Sequence, residues 1–258
     1  GYIKSYLHKP LPLKMYFSNV KYYENRNYKL KVYGINTLYD LEVTMKYYVT
    51  IIEIQFGYGF NSLVDKNNLP KTLKVIKFGK HFNQKVDDLP HSIQSITFGH
   101  WFNQFVDNLP QSLKSITFGF HFDNSVDNLP QSLKSVKFDT MFNHSVNKLP
   151  QSLKSISFES EFGGRFNQNV DKLPPMLQII KFGSDFNQTV DNLPPTLRTI
   201  HFGTKFNQFV DYLPQNLISI KFGWDFNQDV KHLPQTLKTL KFGNGFNRNI
   251  DNFPPKLK

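Results

Sequence analysis

Six residues recur at matching places along the chain and share one chemistry: Lys77, Lys137, Lys181, His201, Lys221 and Lys241. Each could hold a carboxylate or a phosphate by charge and hydrogen bond. Trp101 and Trp224, with His81, His100, Phe120 and His121, lie a few residues beyond such positions. They offer flat apolar surface, a common anchor of protein contacts. Reaction chemistry has no comparable signal. The 8 His fall at unrelated places, and no H-x-E, H-E-x-x-H, C-x-x-C, G-x-S-x-G, Walker or G-x-G-x-x-G spacing occurs. "FGYGF" at 56–60 resembles a Gly-rich loop only superficially. There is no Cys, which removes disulfides, thiolate metal sites and Cys nucleophiles together and fits a reducing, intracellular setting. A binding protein without enzymatic activity, metal or cofactor is therefore expected.

The six cations share a place because the chain repeats. A Pro recurs at 70, 90, 110, 130, 150, 174, 194, 214, 234 and 254. Phe-Asn pairs begin at 60, 82, 102, 122, 142, 166, 186, 206, 226 and 246, with Asp123 once replacing Asn. One unit reads L-P-x-x-L-K-x-I-x-F-G-x-x-F-N-Q-x-V-D-x, twenty residues long. The register slips near Lys66 to Asn68 and near Phe162 to Arg165. In each unit a stretch such as Ile116-Thr117-Phe118 alternates apolar and polar, the strand period. Gly119 ends it, and Pro110 argues against helix; no helical stripe is legible. A single unit cannot fold alone, because about six apolar side chains do not offset the backbone entropy of some twenty residues. Stacking can, by sharing burial and hydrogen bonds between coils. The expected fold is an all-β-rich solenoid: an LRR-like, right-handed stack of about ten 20-residue coils with one parallel sheet. Leu113, Ile116, Phe118, Phe122, Val126, Leu129 and their equivalents should form its core.

The phrases "LPQSLKSITFG", "FNQTVDNLPPTLRTIHFG" and "FNQFVDYLPQNLISIKFG" resemble FNIP repeats, a leucine-rich-repeat-like family abundant in social amoebae and in giant viruses of amoebae. The resemblance runs from about residue 49 to 258. It implies a protein-binding solenoid, often joined to an N-terminal F-box that docks a Skp-type adaptor of a ubiquitin ligase. The family often has Pro after Phe-Asn-x; this chain has Lys85, Phe105, Ser125, Thr189 or Asp229 there, which makes that corner variable.

Stacking turns each repeat position into a lengthwise file. The Asn of Phe-Asn is expected to serve turn backbone. Asp or Asn before L-P is expected to bond its own turn, since one carboxylate per coil is too few for calcium. The outward residue between Ile and Phe runs Gln55, Lys77, Thr97, Thr117, Lys137, Ser157, Lys181, His201, Lys221, Lys241, increasingly basic toward the C-terminus. The file before it is small (Ser95, Ser115, Ser135, Ser155, Thr199, Ser219, Thr239), leaving room for a partner. Lys114, Lys134, Lys154, Arg198 and Lys238 should merely neighbour the Asp corners.

Residues 1–48 differ. They hold ten of the 12 Tyr, show no clear F-box, and carry "LPLKMYF" and "YKLKVYG", which look like eroded repeat strands. A cap over the first coil is expected, with a remnant of a docking region as the alternative. The chain opens at Gly1 with its first Met at Met15, so a trimmed piece with an upstream region is expected. It stops at Lys258 in mid-unit, and the expectation for the last coil is left open between cover by a partner, cover by another copy, and no cover. No apolar run is long enough for a transmembrane helix, and no signal peptide is visible. With Lys+Arg 31 against Asp+Glu 20, a net charge of +11 favours an acidic partner. The preferred function is a scaffold for an acidic protein, by resemblance the substrate-recognition part of an F-box-type adaptor. The alternative is nucleic-acid or polyanion binding, as in a virion component.

Overall fold

A computed structural model of the chain describes residues 21–24, 30–47, 50–250 and 254–257. Twelve strands form one sheet in strict chain order. Near the N-terminus, β1 (Lys21–Glu24) pairs antiparallel with β2 (Leu30–Ile35), and helix α1 (Leu38–Tyr47) leads to β3 (Ile51–Phe56). Nine three-residue strands follow: β4 (Val75–Lys77), β5 (Ser95–Thr97), β6 (Ser115–Thr117), β7 (Ser135–Lys137), β8 (Ser155–Ser157), β9 (Ile179–Lys181), β10 (Thr199–His201), β11 (Ser219–Lys221) and β12 (Thr239–Lys241). From β2 onward all neighbours are parallel. Each repeat from β3 to β12 is one coil of the solenoid.

The coils are in register. Ile96 pairs with Ile116, Ile116 with Val136, and Val136 with Ile156. These residues and Leu113, Phe118, Phe122, Val126 and Leu129 are buried, as the alternating pattern requires. Two phenylalanines per coil stack on each other and on the next coil: the rings of Phe118 and Phe122 lie 3.8 Å apart, Phe118 and Phe138 5.4 Å, Phe122 and Phe142 6.1 Å. Offset stacks of this kind add to plain area burial. They occupy the interior that helices fill in bulkier repeat folds, so twenty residues close a coil. At the Pro corner Leu113 N–H donates to the Pro110 carbonyl at 3.0 Å, a turn repeated down the chain.

Helix α1 departs from the expectation of no helix. Among its described side chains, the core face is Leu41, Thr44 and Met45, too sparse to read as a stripe. Its start is nevertheless fixed by reciprocal capping. Thr37 Oγ1 accepts from Asp40 N–H at 3.1 Å, and Asp40 Oδ2 accepts from Thr37 N–H at 3.0 Å. "YKLKVYG" overlaps β2, consistent with an eroded strand; "LPLKMYF" lies outside the described residues.

The glycine after each strand has a steric cause. A methyl on Gly119 would overlap the Gly99 carbonyl, and one on Gly203 the Gly183 carbonyl. Two successive coils break this rule with Asp139 and Glu159. The four-residue slip follows at once, and Gly164 takes over the packing against Gly183. The insertion thus restores the glycine contact after Glu159, whereas Asp139 is accommodated in a unit of ordinary length.

Candidate binding face and inserted corner

The strand register places the cationic file on one face of the sheet. Lys77 aligns with Thr97, Thr117 with Lys137, and Lys137 with Ser157; then Lys181, His201, Lys221 and Lys241 stand on four adjacent strands. Beside them run Ser95, Ser115, Ser135, Ser155, Thr199, Ser219 and Thr239, interrupted at Ile179, which is 37% exposed.

The cations are not equivalent. Lys77 Nζ donates to Glu53 Oε1 and Lys31 Nζ lies by Glu53 Oε2, both at 2.8 Å. Glu53 is buried. Burial opposes its ionisation, but bonds from Lys31 and Lys77 outweigh that and hold its carboxyl below the ordinary glutamate value. Lys77 is therefore engaged within the sheet. Glu159 similarly reaches two strands: Oε1 lies 3.1 Å from His201 Nδ1 and Oε2 3.3 Å from Lys181 Nζ. Burial raises its pKa, and the His201 hydrogen bond and Lys181 charge bring it below the usual range. Among the described residues, no ion pair involves Lys137, Lys221 or Lys241, and all three are exposed. A cleft of about 180 Å³ opens between Glu159, Ser160, Ser184, Thr204 and Lys221.

The two tryptophans do not meet. Trp101 follows β5 and Trp224 follows β11, six strands or roughly 29 Å apart at about 4.8 Å per strand. Trp101 belongs to a shelf of rings. It stacks on His121 at 4.1 Å, while His100 stacks on Phe120 at 4.8 Å. Phe162 from the inserted corner meets Phe120 edge-on at 6.0 Å, and near the first coil Tyr58 meets His81 edge-on at 4.8 Å. Spacing alone did not point to Tyr58 or Phe162. His100 Nδ1 is buried with no hydrogen-bond partner. Its burial, then the charges of His121 and Lys80, lower its pKa. Trp224 is 58% exposed.

The remaining files are structural, with two corrections. Each Asn of Phe-Asn accepts the backbone N–H of its counterpart one coil on: Asn187 Oδ1 from Asn207 N–H at 2.9 Å, and from Gln208 Nε2 at 3.0 Å. Where Asp123 replaces Asn, His144 replaces the following Gln and bonds the Asp123 carbonyl at 2.9 Å. The Asp corner was expected to bond its own turn. Asp65 does so, but Asp87, Asp107, Asp127, Asp171 and Asp211 bond Asn108, Asn128, Lys148, Asn192 and His232 of the next coil. Asp171 also accepts from Asn169 Nδ2 within its own corner at 2.7 Å. Consequently Lys114, Lys134, Lys154, Arg198 and Lys238 do not pair with these carboxylates; among the described residues they make no ion pair, and Arg198 donates to the Asn216 carbonyl at 3.2 Å. The sequence reading also missed a hydroxyl staple in L-P-x-S/T: Ser132 Oγ donates to the Leu113 carbonyl and Thr236 Oγ1 to that of Leu217, both at 2.6 Å. The recurrence of Ser or Thr there was the available signal. Among the described residues, no group of three or more His, Asp or Glu could hold a metal ion, and no helix is long and apolar enough to cross a membrane.

Residues 49–81, 82–121, 122–161, 166–205 and 206–245 match the family model described as FNIP Repeat. The inserted corner fills the gap at 162–165. Among solved structures, the chain is similar to CroV588, a giant-virus protein described as a novel circular LRR protein, with a TM-score of 0.74 and 35% identity over 83% of this chain. It spans 33% of that protein's length. No curated protein matches it.

Proposed function

The chain belongs to the FNIP repeat family, and from that premise we propose that it is a non-enzymatic scaffold that docks an acidic protein on its open sheet face. One observation carries the reading: four cationic positions, Lys181 to Lys241, stand in register on adjacent strands beside a lane of mostly small side chains. A solenoid holds such a row in place before the partner arrives, which limits the ordering cost of binding. In this reading the described elements before the first repeat, β2 and α1, cap the first coil. Joined to an N-terminal F-box that docks a Skp-type adaptor, as the family resemblance suggests, the same face would present a substrate for ubiquitin transfer.

The test uses the double variant Lys221→Glu, Lys241→Glu. Both side chains are exposed and outside the ion pairs, so the melting temperature should stay within about 2 °C, as for substitutions away from structural features. Capture of an acidic partner should fall at least tenfold. Unchanged capture would place docking elsewhere. Generic single-stranded DNA serves as the counter-probe: tight binding that falls steeply with salt would favour the polyanion reading instead.

A further inference from the structure

The inserted corner and the Glu159 before it touch both the cationic file and the ring shelf. The Glu159 carboxylate bridges His201 and Lys181; His201 lies 42 residues further along the chain. The ring of Phe162 meets the edge of Phe120, 42 residues back. Between them Ser160 Oγ lies 2.6 Å from Thr140 Oγ1 and accepts the Phe162 N–H at 3.2 Å. One Glu-x-x-Phe segment therefore places an acid on the cationic file and an aromatic on the ring shelf.

We propose that this face recognises an acidic peptide with an aromatic residue about three positions from a carboxylate, and that Glu159–Phe162 is the chain's own resident copy of that motif. The proposal rests on the scaffold reading above and adds the chemistry of the partner. Three observations support it. The face is basic and carries uncovered rings, so charge and shape both ask for this pairing. The resident segment is lightly held: Phe162 is 72% exposed, and the Glu159 side chain 40%. Exposed ion pairs of this kind stabilise little, so a longer partner can displace it. Finally, the cleft beside Glu159 leads to Lys221, which has no ion pair, and Ser184 and Thr204 line it with hydroxyl donors. A partner carboxylate there would gain a cation that Glu159 leaves free.

The experiment measures fluorescence polarisation of a labelled peptide copying residues 158–164 against the full chain. Three proteins are compared: wild type, Glu159→Gln with Phe162→Ala, and that double variant with Lys221→Glu added. The double variant should bind the peptide about fivefold more tightly than wild type, the scale of one exposed ion pair released. Adding Lys221→Glu should reverse the gain, and a peptide with both Glu changed to Gln and its inner Phe to Ala should not bind. Equal binding by wild type and double variant would overturn the resident-copy idea while leaving the docking face intact. Binding insensitive to the Gln/Ala change in the peptide would overturn the proposed motif. Capture of an acidic protein with no peptide binding to any variant would overturn this inference alone; absence of both would sink the scaffold reading too. Near-identical melting temperatures for the three proteins separate these outcomes from misfolding.

Discussion

Glu53 shows how a residue legible as polar and outward can become structural. It lies on the sheet face, yet Lys31 and Lys77 close over it from either side. Because its folded pKa lies below the unfolded one, its ionic contribution is present above the ordinary glutamate range and fades as pH falls through the lowered value. Glu53→Gln should therefore cost about 1–3 kcal/mol at neutral pH. The gap to wild type should narrow in chemical unfolding curves as pH falls below the ordinary glutamate range toward the lowered value. A constant gap would mean the carboxylate's charge is irrelevant. The sequence identified Lys77 as cationic and outward, correctly, but could not show its engagement, since Glu53 lies 24 residues away in chain. Glu159 and His201 pose the same problem over 42 residues. Repeat spacing shows which residues share a file, but not which long side chains cross between files.

At the scale of the coil, backbone proximity decides more than side-chain type. Gly203→Ala would drive a methyl into the Gly183 backbone and should cost about 1–3 kcal/mol or more, whereas Gly59→Ala meets no atom within 4 Å and should be near neutral in the same thermal unfolding assay. Comparable losses would contradict the steric account. Strand, turn and core were legible because each has its own period: Ile116 and Phe118 alternate, Gly119 stops, Pro110 turns. The Asp file was misread because bonding to the next coil competes with bonding within a turn, and twenty-residue spacing is compatible with both. Helix α1 was missed for a different reason. It occurs once, so repetition could not amplify its sparse core face, although the Thr37–Asp40 cap was a local clue.

For the whole molecule, nearest-neighbour stacking implies a gradient of protection. Coils at β6 to β8 are covered on both sides, while Leu240, Phe242 and Phe246 near β12 are only partly buried. Hydrogen exchange should thus be slowest at the Ile116, Val136 and Ile156 amides and fastest toward Leu240. Uniform protection would show instead that the solenoid opens as a single unit. The Asn ladder gives this architecture a further property. Each rung is served only by the coil immediately after it, in the same way every time. A gene that gained or lost one complete unit in the stretch from Asn167 to Asn247 would leave every remaining rung satisfied and change the particle's reach by one strand spacing. The Asp123–His144 joint keeps that freedom: Asp123 Oδ1 accepts the Asn143 N–H like any other rung, and a glutamine in place of His144 would donate to the same carbonyl, as Gln228 does to that of Asn207. Length can therefore drift by whole coils, because each coil asks of its neighbour only what every other coil supplies.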